Sequence, residues 1–548
     1  MRIQVQQVNV PLKYNDNIIL QQTARKLGCA PNLLSHLKLI RRSLDARPRN
    51  PEPVYALTVE ADLALKSLPK TIPPGIISPV EPLPATPIPS RDSTYPQGNA
   101  PSPAPRPIVV GAGPAGLLAA HQLALAGANP LLIERGEEAA ARAPKVAGFW
   151  NSGILDPESN VLFGEGGAGL FSDGKLTARS KERGRVRMFM ELLHACGADD
   201  TVLIDAEPHV GSDILLQIVP RLREQIIAAG GEVRFNARLD SLVIEAGQLR
   251  AVVVNGQEIA CQQCVLAVGH SARDVYAMLA AQGVALQPKP FAVGVRLEIP
   301  QTAIDRAQYG RFAGNPLLGA ASFRLTRREE DGIRACYSFC MCPGGKVISC
   351  ASEPGFLTTN GMSYSKRALT HGNAAFLVPV SPTDYPEQAI PALAGMEFQR
   401  QLERDAFAAA GIAYHVPAIR LVDFLARKVQ ASLPDGRSCP NSVPVEFRDL
   451  LPEFITRTLE KTLPAMLKEL NGVKLEEALL YAPETRSSSP LWIARNSEGE
   501  SINTRGLFPV GEGAGYAGGI VSSALDGMRA AERLLGGGAR PLAKLTET

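Results

Sequence analysis

The chain has 548 residues, 45% hydrophobic and 20% charged, with a net charge of +3. That length supports several cored domains, the composition excludes a disordered or fibrous chain, and so small a charge gives no reason to expect a polyanion partner. No apolar run approaches the roughly 20 residues of a membrane span, and the opening "MRIQVQQVNVPL" alternates like a strand instead of carrying the basic and apolar segments of a leader, so the expected location is cytoplasmic.

Residues 1–66 read as strand, helix, strand, strand: "IQVQQVNV" alternates, "NIILQQTARKLG" has helical spacing and stops at Gly28, and "LSHLKLIRRSLDAR" and "PVYALTVEADL" alternate again. This predicts a small α+β domain. Prolines then recur among small polar residues across 67–105, the composition of an extended linker.

The main body begins with "PIVVGAGPAGLLAAHQLALAGANPLLIERG". A short apolar strand leads into Gly111, Gly113 and Gly116 in G-x-G-x-x-G spacing, then a helix, then a second strand ending at Glu134 and Arg135. Gly111 permits the tight turn, Gly113 lets the backbone approach a pyrophosphate, and Gly116 lets helix and strand pack closely. Phosphates would meet the free N–H groups of the first helical turn, which opens at Pro114 (itself without an N–H) and Ala115, and an acid at Glu134 can accept from ribose hydroxyls. This is a dinucleotide site, and the fingerprint alone does not choose between FAD and NAD.

Downstream, "GGEVRFNARLDSLVIEAGQLRAVVVNGQEIACQQCVLAVGHSA" reads as short strands and turns ending at Gly269. Between about 281 and 481, strand-like text ("PFAVGVRLEIP", "ACYSFCMCPGGKVISC") alternates with helical text ("GMEFQRQLERDAFAAAG", "LLPEFITRTLEKTLPAMLKEL"), without a second fingerprint. The chain then returns through "TRGLFPVGEGAGYAGGIVSSALDGMRAAERLL", a strand, a glycine turn (Gly511, Glu512, Gly518, Gly519) and a helix from Ile520.

This last segment resembles the second FAD motif of glutathione-reductase-like flavoproteins, with Glu512 where Asp is common. The resemblance implies that the acid holds the ribityl chain and the helix start faces the flavin N1/O2 edge. The strand-and-turn segment looks like the β-meander of the same superfamily, with Leu239 near the adenine. The runs "ESNVLFGEGGAGLFSDGKL", "LAVGHSARD", "YSFCMCPGG", "ETRSSSP" and "PVGEGAGYAGGI" are similar to a bacterial and plastid family of FAD-dependent dehydrogenases, over nearly the whole chain. The implied fold is α/β: a Rossmann-like, three-layer FAD-binding domain with a β-meander (106–280 and 482–548), interrupted by an α+β substrate domain (281–481) and preceded by the small α+β domain. It also implies that Gly166, Gly167, Ser172 and Asp173 are flavin neighbours. FAD is the expected cofactor, with no metal.

The expected catalytic residues are Lys175, a cation near N1/O2; Glu484 and Arg486, where the insert hands the chain back; and Tyr516, in the turn beside the ring. Arg486 either binds an anionic substrate or pairs with Glu484. His371 is a weaker candidate base. The function implied is hydride transfer between flavin N5 and a small organic substrate, with NAD(P)H a candidate electron partner bound without its own Rossmann domain. A dithiol-disulfide reductase would need Cys340 and Cys342, since no cysteine pair follows the fingerprint helix. A hydroxylase of the monooxygenase type would carry Gly-Asp-Ala-x-His where "GEGAGYAGG" stands. An RNA-binding or RNA-modifying flavoprotein would use the basic run Lys38, Arg41, Arg42, Arg47 and Arg49; a solvated strand edge accounts for these charges more simply.

Overall fold

The computed structural model describes residues 1–47, 51–64, 77–79 (backbone only), 105–177, 180–411 and 414–536. Arg2–Pro11, Leu34–Asp45 and Val54–Leu63 form an antiparallel sheet covered by the helix Asp16–Leu27. Asn15 caps that helix by accepting from the Ile18 N–H at 3.0 Å, and Gly28 ends it in the left-handed region. In the first strand Ile3 and Val5 point inward, then Val8 and Val10 do. The odd spacing is absorbed by a register shift between Val5 and Val8, with Gln7 at φ +54. Without the bulge the second apolar pair would face solvent.

Most of the expected linker lies outside the described residues. One part of it, Ile77–Pro79, is instead a fourth strand, paired antiparallel with Ile3–Val5. The small domain also rests on the main body. The Arg42 guanidinium pairs with Asp205 at 2.6 Å, the Arg42 carbonyl accepts from the Ala206 N–H, and the Tyr55 hydroxyl donates to the Leu317 carbonyl.

The main body contains a parallel sheet in the order Leu507–Pro509, Cys264–Leu266, Ile108–Val110, Leu131–Ile133, Glu232–Arg234. Every residue of its inner strands is buried, as a sheet covered on both faces requires. The fingerprint helix Pro114–Leu125 lies between the helices Ile520–Leu535 and Ser212–Ala228. The antiparallel meander Leu239–Glu245, Gln248–Val254, Gln257–Ala260 packs into the same core.

The insert has its own mostly antiparallel sheet, in which Phe291–Pro300 lies between His371–Val380 and Leu479–Glu484. Cys336–Cys350 is next out from His371–Val380, and the helices Ala394–Ala410 and Glu453–Leu467 supply a second core. The boundary expected at 481/482 falls inside the strand Leu479–Glu484, so Glu484 belongs to the insert sheet. The two crossings between domains pair with each other, Leu286–Pro288 against Leu491–Ile493.

Candidate functional site

One cleft runs between the carboxyl ends of the parallel strands and the insert sheet. Its first wall is mostly backbone. Gly111, at φ +99, turns directly under the neighbouring strand, where a Cβ would lie 2.4 Å from the Ala267 carbonyl oxygen. A Cβ on Gly116 would lie 1.8 Å from the Gly111 oxygen, so that glycine serves helix–turn packing and does not itself line the cleft. Gly113 does line it, and a Cβ there would find no atom nearer than 3.9 Å. Gly113, Pro114 and Ala115 open a helix with no side-chain cap, and so do Gly519 and Ile520 in the second helix. Two helix N-termini thus face one cavity, the arrangement that attracts anions.

Glu134 lines the cleft, but its carboxylate already accepts from the backbone N–H groups of Ala112 (2.8 Å), Gly136 (3.0 Å) and Gly164 (3.0 Å). It therefore ties the fingerprint turn to the following loop. Arg135 lies over the Phe163 ring and pairs with Glu158 and Asp274. Gly167, Ser172, Asp173, Leu239, Gly269, Gly511 and Glu512 also line the cavity. Gly166 sits behind it, donating to the Ala112 carbonyl, and Gly518 is exposed outside it. Burial pushes the half-buried Glu512 carboxyl up to about 7, against the pull of the Gly519 backbone and Lys289.

The second wall is built from charged side chains, with Lys175 reaching it from the first. Lys175 donates to the Met341 carbonyl and pairs with Asp173 at 2.9 Å, and Asp173 is also held by Arg367 and Ser363. Burial would raise the Asp173 carboxyl, but Lys175 and Arg367 hold it below its ordinary value. Glu484 is gripped by both arms of the fully buried Arg296, at 2.7 and 2.8 Å. Arg486 does not pair with Glu484. It makes two bonds to Glu403 and one to Ser352, and Arg273 makes two more to the same Glu403. Lys175, Glu484 and Arg486 therefore share the cleft, each already partnered.

Two expected positions fall away. The Tyr516 ring lies over the Arg495 guanidinium at 3.9 Å and its hydroxyl accepts from the Arg495 N–H. These contacts hold it on the outside, 42% exposed and off the cleft lining. His371 ends a strand opposite Pro300, also away from the cleft, with Thr370 as its partner. Of the basic run, Arg42 is paired with Asp205 and Arg47 with Asp45, while Arg49 lies outside the described residues.

Sequence reading missed several residues that shape the site. Arg142 is fully buried and donates to the carbonyls of Asn160, Val161, Gly164, Glu165 and Gly167, cinching the glycine loop that lines the cleft. Burial brings its guanidinium down to about 9, against Glu134 and Glu165. A signal was present. Ala139, Arg142, Val146 and Phe149 form one buried helical stripe, with an arginine at an apolar position. Arg296, Arg273 and Glu403 likewise occupy buried positions on a strand and two helices. His270, beside Gly269, and Asn360 of the insert complete the lining. Among the described residues no cluster suited to a metal ion occurs, and no helix is long and apolar enough to cross a membrane.

Three family models match the chain: "FAD-dependent protein, C-terminal domain-like" over residues 290–487, an NAD(P)-binding Rossmann-like domain over 109–154, and a domain of unknown function over 2–62. An uncharacterized protein of Clostridium beijerinckii is 41% identical over 544 residues, covering 98% of this chain and 99% of that one. Protein FixC of Escherichia coli K12 is 32% identical over 221 residues, 39% of this chain and about half (48%) of FixC. Among solved structures, glycine oxidase from Geobacillus kaustophilus is 14% identical, covering 81% of this chain and 98% of its own, with a TM-score of 0.34. The Escherichia coli quinol fumarate reductase subunit FrdA is 14% identical, covering 80% and 71%, at 0.35. At such TM-scores neither adds to the reading of the site.

Proposed function

Since this chain belongs to the same family as the Clostridium beijerinckii protein, and is an FAD-dependent protein of the oxidoreductase type, we propose that it passes a hydride between flavin N5 and a small organic substrate held against the insert wall. The residues present fit FAD. Gly113 faces open space, two uncapped helix N-termini point into the cavity, and the meander's Leu239 belongs to the same lining. When bound, FAD supplies the two-electron acceptor and donor, and the chain's task is position and electrostatics.

In this reading the first turn of Pro114–Leu125 would receive the pyrophosphate, and the start of Ile520–Leu535 would receive the electron-rich edge of the ring. Lys175 adds a cation at that edge. Glu484 and Arg486 shape the substrate side through their fixed partners Arg296 and Glu403, because a substrate would have to displace those bonds to touch them directly. The observation that carries the proposal is the convergence of two helix N-termini and the polar insert wall on one cleft. Anaerobic mixing of the purified yellow protein with NADH, NADPH and a panel of small metabolites, followed at the flavin absorbance band, tests it. Bleaching by a metabolite supports the proposal and names the substrate, and bleaching by a nicotinamide identifies the electron partner. A flavin that none of them reduces, and whose reduced form none of their oxidised counterparts reoxidises, counts against it.

A further inference from the structure

Cys340 lines the cleft on the insert side, and Cys342 is buried behind it. Both sit on Cys336–Cys350, where the pairing with His371–Val380 slips twice. Phe339 faces Ala375, Cys342 faces Asn373 and Gly345 faces His371, so each step inserts one extra residue on the cysteine strand. The first bulge contains Cys340 at φ +43, a conformation that side-chain-bearing residues rarely adopt. Bulges re-aim side chains beside active sites, and this one folds the Cys342 thiol back to within 3.3 Å of the Cys340 carbonyl, two positions earlier.

The surroundings hold that geometry. Arg296 donates to the Cys340 carbonyl at 3.3 Å, to the side-chain oxygens of Asn373 (3.0 Å) and Asn360 (3.1 Å), and to Glu484. Gly361 is the residue that leaves room for this guanidinium, since a Cβ there would lie 2.3 Å from its Nη1. From the opposite wall Lys175 donates to the carbonyl of Met341, the residue between the two cysteines. The Cys342 thiol donates to the Cys340 carbonyl at 3.3 Å. Two cations thus hold the carbonyls of Cys340 and Met341 beside the cleft, and cations next to a cysteine are how reactive thiols are set up.

We propose that Cys340 and Cys342 are a redox pair that exchanges two electrons with the flavin, an inference that rests on the cleft being the FAD site. In the oxidising direction an S–S bond forms between the two sulfurs, the two S–H bonds break, and two protons and two electrons pass to FAD. The reverse reaction takes the same two electrons and two protons from reduced FAD. The charges prepare one sulfur to act first. With the Cys342 thiol turned from the Cys340 carbonyl to its sulfur, that hydrogen bond, then Lys175 and Arg296, draw the Cys340 thiol below its ordinary value against burial and Asp173, while Cys342 is pushed up.

The test is an anaerobic dithionite titration of the air-oxidised, FAD-loaded full chain, beside Cys340→Ser and Cys342→Ser. The wild type should take up about four electrons per FAD, two for the flavin and two for the sulfur pair. Each variant should bleach fully at about two. In the oxidised wild type the peptide spanning both cysteines should resist alkylation and gain two labels only after reduction. Full bleaching of the wild type at about two electrons, with both cysteines alkylated before reduction, would overturn the redox pair while leaving the FAD site standing. A chain that shows no flavin bleaching would overturn both.

Discussion

The two walls of the cleft are made of different materials. On the parallel-sheet side the lining is backbone: glycines, helix N–H groups, and side chains such as Glu134 and Arg142 that serve to fix that backbone. On the insert side it is ion pairs, with Arg296 on Glu484 and Arg273 and Arg486 on Glu403. A backbone wall gives nearly the same surface whatever substrate arrives, as suits a cofactor. A wall of paired side chains can be altered one residue at a time, as suits a substrate. The difference also predicts how each wall fails. The charged wall should fail by losing stability, and the glycine wall by losing its ligand while the fold survives.

The largest effect should come from the charged wall. Glu403 has no exposed side-chain surface and accepts from both arginines and from Thr485. Removing one partner of a buried ion pair costs about 3–5 kcal/mol, because the remaining charge stays in low dielectric. Glu403→Ala should therefore lower the stability of the FAD-free chain by about that amount in urea unfolding. A loss within the range of a surface substitution would mean that the arginines find water and the wall is not closed.

The glycine wall should behave in the opposite way. Since a Cβ on Gly113 meets nothing nearer than 3.9 Å, Gly113→Val should fold, yet place its methyl groups where the pyrophosphate needs to lie. FAD affinity should fall by about 100-fold or more, about 2.8 kcal/mol, with unfolding of the FAD-free chain nearly unchanged. Gly116→Ala is the control. It puts a Cβ 1.8 Å from the Gly111 oxygen and should impair folding and FAD binding together.

This contrast explains what could be read from the sequence. The backbone wall is written locally. Gly111 to Glu134 lies in one β-α-β unit, and its spacing alone gives the turn and the uncapped helix start. Pairing it with Gly511 to Ile520 needed only a second local motif. The charged wall is written at long range. Glu403 meets Arg273 across 130 residues and Arg486 across 83, and no local pattern encodes which acid meets which arginine. Hence the sequence offers Arg486 an anionic substrate or its neighbour Glu484 as partner and does not offer Glu403, the partner it takes. Tyr516 failed for a related reason. Its place in a glycine turn was legible, but its attraction to Arg495, 21 residues earlier, was not.

Lys175 reaches across between the two walls, and its effect should be smaller. On the proposed placement of the flavin, with Lys175 at its electron-rich edge, Lys175→Met should make the flavin midpoint more negative by tens of millivolts, at about 1.4 kcal/mol per 30 mV for a two-electron couple. FAD should stay bound, because the glycine wall is untouched. Spectroelectrochemical titration measures this, and an unchanged midpoint would place the ammonium too far from the ring to matter.

A pH-dependent effect should appear where the walls touch. His270 follows Gly269 in the backbone wall and faces Arg486 and Arg273 of the charged wall. Burial, then those two guanidiniums, lower its imidazole from the ordinary 6.5 to about 4. The sign follows from proton counting. Between about 6.5 and about 4 the unfolded chain holds a proton on this ring and the folded chain does not, so stability falls as pH falls through that window. Below it both states are protonated and the loss is complete. His270→Gln removes the titration and keeps a polar side chain of similar reach, so the FAD-free variant should lose stability less steeply than wild type over the same window. Equilibrium unfolding at a series of pH values, each compared with wild type, isolates the difference from the many carboxylates that begin to titrate at the acid end. Parallel curves would show that the imidazole is reached by water, and that the two walls meet less closely than their charges suggest.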